Sequence, residues 1–122
     1  MEKEFVKYEQ ALALKELGFK KECFGYYDKD GDFYTVAVGK LLNAPLYQQA
    51  FRWFRNKHNI ITQIIYCTEK LEHISPEEVG YYGIILLLKN KEDEKYLDHW
   101  YKTYEETEQA CLDKLIEIVK NK

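Results

Sequence analysis

Hydrophobic positions recur with helical spacing in three stretches of the chain and form strand-like runs in four shorter ones. The clearest helix is "APLYQQAFRWFRNKH", where the apolar and aromatic residues fall on one side at about 100° per residue. Its glutamines and arginines fall on the other side. Pro45 suits the first helical position, which leaves Asn43 or Ala44 as the cap. The pattern predicts an amphipathic helix with one buried side.

Two further helices are predicted near the ends of the chain. The first spans about residues 7–17 and ends before Gly18, a natural stop because glycine adopts a positive φ without strain. The last begins at Thr103, whose hydroxyl can cap the helix while Glu106 reaches back to it. Its predicted buried side consists of Tyr104, Cys111, Leu112, Leu115, Ile118 and Val119.

The segment "YYDKDGDFYTVAV" allows two interpretations, a calcium loop or a tight turn between strands. Asp28, Asp30 and Asp32 alternate as in many calcium loops. However, Phe33 stands where such a loop requires glycine, and Gly39 stands where it requires glutamate. Strand-like runs also flank the segment, so it predicts the tip of a β-hairpin.

The runs "IITQIIYC" and "YYGIILLLK" predict two more strands, the second of them central in its sheet. The order of elements is then α-β-β-α-β-β-α. It predicts an α+β domain over residues 1–122, with one four-stranded antiparallel sheet and helices on one face. The similar openings "YEQAL" and "YQQAF" hint at a duplicated helix and hairpin.

Composition narrows the functional classes. The 122 residues carry a net charge of −3, which argues against nucleic acid as a partner. No apolar run approaches the roughly 20 residues that a membrane-spanning helix needs. The charged N-terminus lacks a secretory signal, and three scattered cysteines are typical of reduced, buried thiols. These features predict a cytoplasmic protein without a metal site or cofactor.

The arginines are the most informative polar residues. The chain has two of them, Arg52 and Arg55, on the polar side of the central helix beside Gln48 and Gln49. Guanidinium groups bind phosphate or carboxylate with two parallel hydrogen bonds, which lysine cannot do. The four side chains therefore form a candidate binding site for a phosphate or an acidic partner. The alternative is a solvated helix face whose arginines form salt bridges with glutamates.

Aromatic residues supply the other candidates, since the chain contains 11 tyrosines. Outward-facing members of the sheet, with Tyr27 and Tyr34 as candidates, could stack on a ligand or pack on a partner. Trp100 and Tyr101 lie in a predicted charged loop, "NKEDEKYLDHWYK". They fit a binding hot spot and fit equally well a loop that folds back over the sheet edge.

No catalytic signature is present. The chain lacks the nucleophile elbow, the zinc-protease helix, the phosphate loop and the dinucleotide fingerprint. A pair of Cys67 with His58 or His99 is possible only if the fold brings them together. Glu108 falls near the apolar side of the last helix and would need a partner there. We therefore predict no enzyme activity and no catalytic residues.

Three segments resemble a family of small uncharacterised proteins of tailed phages, prophages and Bacteroidota genomes. They are "FVKYEQALALKELGF…CFGYY", "APLYQQAFRWFRNKH" and "YEETEQACLDKLIEIVKNK", about half of the chain. One departure is Lys7, where similar sequences carry Ser or Thr, and this weakens the cap of the first helix. The resemblance implies a bacterial cell carrying a phage, and no mechanism.

Together these features predict a non-enzymatic accessory protein of phage type that binds a host protein or itself, as a homodimer. The alternative prediction is a small-ligand binder that sequesters a nucleotide-like phosphorylated metabolite used in host defence. The paired arginines and the stacking tyrosines favour this alternative.

Overall fold

The computed structural model describes residues 2–36, 39–67, 80–87, 94–96 and 101–121. These residues form three α-helices and two antiparallel sheets, which confirms the α+β class. A short 3₁₀ turn, Glu2–Glu4, precedes the first helix. The helices and strands are α1 (Tyr8–Glu16), β1 (Gly25–Tyr27), β2 (Phe33–Tyr34), β3 (Leu42–Ala44), α2 (Tyr47–His58), β4 (Ile60–Cys67), β5 (Gly80–Leu87), β6 (Glu94–Tyr96) and α3 (Tyr104–Lys120).

The prediction of one four-stranded sheet is wrong. The strands form two separate sheets, with the orders β2-β1-β3 and β4-β5-β6. The reason lies in β3, a three-residue strand too short to show a period, which pairs with β1 and occupies its second edge. The central position of β5 is confirmed. The two sheets also differ in strand order. The duplicated helix and hairpin that the similar openings "YEQAL" and "YQQAF" hinted at is therefore not seen in the fold.

The start of α2 also differs from the prediction. Leu46 is the N-cap, and Pro45 precedes it instead of opening the helix. Asn43 and Ala44 cannot cap, because both belong to β3 and pair with β1. The carbonyl of Pro45 accepts a 3.0 Å hydrogen bond from the Val6 amide, so the chain stays extended up to the turn.

The hairpin interpretation of the acidic segment is confirmed. One carboxylate oxygen of Asp28 accepts hydrogen bonds from the amides of Asp30 and Asp32, both 2.9 Å. The other oxygen accepts from the Tyr34 hydroxyl at 3.0 Å. Gly31 has a φ of 85°, as a tight turn requires. These bonds lower the pKa of Asp28, led by the one from Asp32. Its carboxylate is therefore occupied within the turn.

Helices α2 and α3 cover the core largely as their patterns predict, whereas on α1 Leu12 is exposed and Gln10 is buried. On α2 the buried residues are Tyr47, Ala50, Trp53 and Phe54. On α3 Thr103 caps as predicted, accepting from the Glu106 amide at 3.2 Å. The buried side of α3 differs at one end, because Tyr104 is 38% exposed whereas Thr107, Glu108 and Ile116 are buried. Helix α3 packs on β4 and β5, α2 packs on β4 and on α3, and α1 contacts β3 and α3.

A polar network lies where α1, α2 and α3 meet. The Gln10 carbonyl oxygen accepts from the Tyr47 hydroxyl and from the Lys7 amide, both at 2.9 Å. The Gln10 amide donates to Asp113 at 2.9 Å and to the Gln109 carbonyl at 3.1 Å. Gln10 therefore supplies half of a capping box at Lys7, where the side chain makes no cap hydrogen bond.

The segment predicted as a charged loop contains a strand. Residues 94–96 form β6 and pair with Ile84–Leu86 of β5. Further along, Tyr101 forms an antiparallel bridge with Tyr81 through hydrogen bonds of 2.8 and 3.0 Å. The backbone of Tyr101 thus lies beside β5.

Two of the three cysteines, Cys23 and Cys111, are buried and unoxidised, and burial raises their thiol pKa values to about 11 and 12.

In the described ranges, no helix has both the length and the apolarity to cross a membrane.

Candidate functional site

A cleft of about 170 Å³ opens where the polar side of α2 passes the outer strand β4 and the first turn of α3. We call it the arginine cleft. Its wall consists of Gln48, Phe51, Arg52, Arg55, Ile61, Thr62, Ile64 and Tyr104. Three of the four polar candidates from α2 therefore meet in one place, together with side chains from two other elements.

The two arginines reach this cleft because of helix geometry. Residues three apart are neighbours on a helix surface, so Arg52 and Arg55 project side by side from the exposed face of α2. Neither forms a salt bridge with a carboxylate of the residues that the structure describes. Across the described residues, the sole ion pair joins Lys114 to Glu117 at 3.7 Å. The alternative of arginines held in salt bridges therefore has no support in this part of the chain.

Thr62 lines the cleft from the side of β4. In the β4–β5 register Thr62 pairs with Ile85, which is fully buried, so Thr62 faces the helix layer. Its hydroxyl oxygen is buried and has no hydrogen-bond partner among the residues that the structure describes. A buried hydroxyl without a partner costs about 1–3 kcal/mol. Because that oxygen is buried, an acceptor in the cleft, such as a phosphate oxygen, would remove the cost only if the side chain rotated to meet it.

Gln48 connects the cleft to a buried carboxylate. Its amide nitrogen lies 3.4 Å from the Tyr104 hydroxyl and 3.4 Å from Oε2 of Glu108. Glu108 is 7% exposed. The pKa of Glu108 is raised to about 7, chiefly by burial; the hydrogen bond from Gln48 opposes this, and the nearby Glu105 and Glu4 contribute to it. Burial, followed by the charge of Glu108, also raises the pKa of Tyr104.

A second, wider depression of about 830 Å³ adjoins the cleft on the other side of Arg52. We call it the basic groove. Lys20, Lys21 and Lys57 line it together with Arg52, and Glu22 is the single acidic side chain on the described part of its wall. Lys57 lies over the Trp53 ring, 5.4 Å from its centroid. One face of an acidic protein is therefore locally positive.

The remaining candidates lie elsewhere. Gln49 lines the basic groove, where its amide donates to the Glu22 carbonyl at 2.7 Å. Tyr27 is 4% exposed and donates its hydroxyl to the Val6 carbonyl at 2.7 Å, so it is a core residue and no stacking surface. Tyr34 is 42% exposed, but its hydroxyl donates a hydrogen bond to the Asp28 carboxylate. Trp100 lies outside the described residues.

Sequence reasoning missed Thr62 and Tyr104 as cleft residues and the lysines of the groove. Thr62 looked like an ordinary strand residue, and Tyr104 was assigned to a buried helix side. No local signal marks either one, because their role depends on where β4 and α3 meet α2. His73, His99 and the side chain of Cys67 lie outside the described part, so the possible thiol–histidine pair is not tested.

The geometry defines a class of site: a small, positively lined cleft with a buried threonine hydroxyl beside it, on an α+β scaffold. Such a donor set suits an anion with several oxygen atoms. Comparisons with protein families, with curated proteins and with solved structures find no match to this chain. The chemistry of the cleft is therefore the basis for assigning a function.

Proposed function

We propose that this protein binds a small phosphorylated ligand, with a phosphate group in the arginine cleft. The observation that carries the proposal is that Arg52 and Arg55 share the cleft with the buried, unpartnered hydroxyl of Thr62. Two guanidinium groups supply charge and parallel donors. Thr62 supplies a third donor from the side of β4, and Gln48 and Tyr104 also line the cleft.

The order of the two predictions is thereby reversed. The ligand binder comes first because its polar candidates from α2 converge on one cleft. The resemblance to phage and prophage proteins supplies the biological setting that we propose with it. In that setting, binding would sequester a nucleotide-like signal of host defence, without any catalytic step.

Thr62→Val provides the sharpest test, because the two roles of the hydroxyl predict opposite changes. Valine keeps the β-branched shape, so removing a buried, unpartnered hydroxyl should raise the free energy of unfolding of the free protein by about 1 kcal/mol. The same change should weaken the binding of inorganic phosphate several-fold. Chemical denaturation measures the first effect and isothermal titration calorimetry the second.

The arginines are tested in the same titration. Arg55→Ala should abolish phosphate binding, and Arg55→Lys should recover only part of it because the charge returns without the paired donors. Lys120→Ala, which removes an equal charge from the end of α3, serves as the control and should bind normally. Phosphate affinities that are equal in all four proteins would contradict the proposal, as would an intact protein that binds no phosphate.

A second candidate is self-association, and the position of β4 favours it. Within the described residues β4 pairs on one side only, with β5. An eight-residue outer strand with no charged side chain is a ready template for pairing with another chain. Tyr66 at its far end is 57% exposed. A homodimer joined through this strand is the corresponding proposal.

A further inference from the structure

The arginine cleft is too small for a whole nucleotide. Pockets that hold small organic ligands usually measure about 300–1,000 Å³. The cleft measures about 170 Å³, enough for a single anionic group, whereas the adjoining basic groove measures about 830 Å³. If a phosphate occupies the cleft, the rest of its ligand must lie outside it.

Arg52 indicates the direction in which the ligand continues. Its side chain lines both the cleft and the groove, so it is the one described residue with charge that both depressions share. Beyond it, Lys20, Lys21 and Lys57 are exposed, and none of them forms an ion pair with a described residue. A ligand that leaves the cleft past Arg52 therefore enters a second region of unneutralised positive charge.

The groove wall is held in place by hydrogen bonds to the backbone of residues 21 and 22. The Lys21 carbonyl accepts from the Asn43 amide at 3.2 Å and from the Cys23 thiol at 3.3 Å. The Glu22 carbonyl accepts from the Gln49 amide at 2.7 Å, which ties the segment to α2. The lysines therefore extend from a fixed backbone, and less entropy is lost when they bind a charged ligand.

From these observations we infer that the ligand carries two or more linked phosphate groups, one in the arginine cleft and the next in the basic groove, with Arg52 between them. The inference rests on the proposed function, because it takes the cleft as the first phosphate site. A phosphate chain and a nucleoside polyphosphate share this chemistry. They differ in whether the groove also contacts a base.

The experiment compares orthophosphate, tripolyphosphate and a nucleoside triphosphate by calorimetry on the intact protein. Tripolyphosphate should bind at least ten-fold more tightly than orthophosphate. The double variant Lys20→Ala/Lys21→Ala should lose about ten-fold in affinity for tripolyphosphate, as expected for two exposed charge contacts. Its affinity for orthophosphate should change little. Lys29→Ala/Lys120→Ala removes the same charge from two other exposed positions and should leave both affinities unchanged.

A gain-of-binding variant guards against misfolding as an explanation. Glu22→Gln removes the acidic side chain from the groove wall and should tighten tripolyphosphate binding two- to five-fold. A nucleoside triphosphate whose affinity responds to these variants as that of tripolyphosphate does would support the inference. Tighter binding of the nucleoside triphosphate than of tripolyphosphate would identify a nucleoside polyphosphate as the ligand.

Equal affinities for orthophosphate and tripolyphosphate would overturn the inference while leaving the proposed function intact. Tripolyphosphate binding that ignores Lys20, Lys21 and Glu22 would do the same. A wild-type protein that binds neither orthophosphate nor tripolyphosphate would instead contradict the proposed function itself. The two failures are therefore distinguishable within one set of titrations.

Discussion

Single residues of this protein carry consequences that their sequence context does not reveal. The sequence places Glu108 near the apolar side of α3 but gives no sign of its partner: the residue is 7% exposed, and the neutral side-chain amide of Gln48 donates a hydrogen bond to it. Thr62 is similar, since an ordinary strand threonine proves to hold a buried hydroxyl without a described partner. In both cases residues that lie beside the side chain belong to a different helix or strand, here α2.

The raised pKa of Glu108 predicts a specific pH dependence of stability. Its pKa is about 7 in the folded protein against an ordinary value of 4.5. Between these values the folded state binds more protons than the unfolded state, so the free energy of unfolding falls as pH rises toward 7 and stays lower above it. Glu108→Gln should flatten this decline and stabilise the protein at pH 8 by about 1–2 kcal/mol after screening.

Denaturation of both proteins at pH 5 and pH 8 measures the effect. Glu117→Gln, which removes an exposed carboxylate from the same helix, is the matched control and should keep the wild-type slope. A Glu108→Gln protein that is less stable than wild type at pH 8 would show that the ionised carboxylate is well satisfied.

At the scale of elements, local sequence determined the helices closely. The polar and apolar sides of α2 match their pattern, because an isolated amphipathic helix and a packed one bury the same side. The strand β3 was missed and the start of α2 was misplaced, because Pro45 is compatible with both a helix start and the turn before one. The strand β6 was missed, since its charged residues "EKY" carry no alternation; only pairing with β5 makes it a strand.

The contact between β5 and the segment before α3 can be tested at Gly80. A Cβ atom there would overlap the carbonyl oxygen of Tyr101. Gly80→Ala should therefore destabilise the protein by about 1–3 kcal/mol and expose the Tyr81 and Tyr101 amides to hydrogen exchange. Gly39→Ala is the control: it meets open space, and its positive φ predicts a modest loss of stability without a change at those amides. If the Tyr81 and Tyr101 amides kept their hydrogen-exchange protection in Gly80→Ala, the contact between β5 and the segment before α3 would be contradicted.

At the scale of the molecule, the net charge of −3 conceals an uneven distribution. Arg52, Arg55 and three lysines gather along α2 and the segment that precedes β1, without ion pairs to described carboxylates. The net charge of the whole chain is unfavourable for an anionic partner, whereas the charges on this face would attract one. This contrast is why a phosphorylated ligand now ranks ahead of a protein partner.

Self-association makes a prediction at the same scale. If β4 pairs with a second copy, sedimentation velocity at rising concentration should show a dimer, and Gln63→Lys should shift it toward monomer because a charge on an outer strand opposes pairing. Gln63 is exposed, so the change should spare the fold. Gln109→Lys on α3 is the control. A monomer at every concentration, or a dimer unaffected by Gln63→Lys, would exclude this interface.

The sequence by itself determined the three helices, the hairpin turn at Asp28 and the pairing of two arginines on one helix face, because each depends on residues within a few positions of one another. Only the tertiary structure decided that the strands form two sheets, that Tyr27 is buried, and that the arginines meet Thr62 and Tyr104 in a cleft. These features depend on contacts between distant parts of the chain. Such contacts are selected by the packing of the whole molecule, which leaves no periodic signal in the sequence.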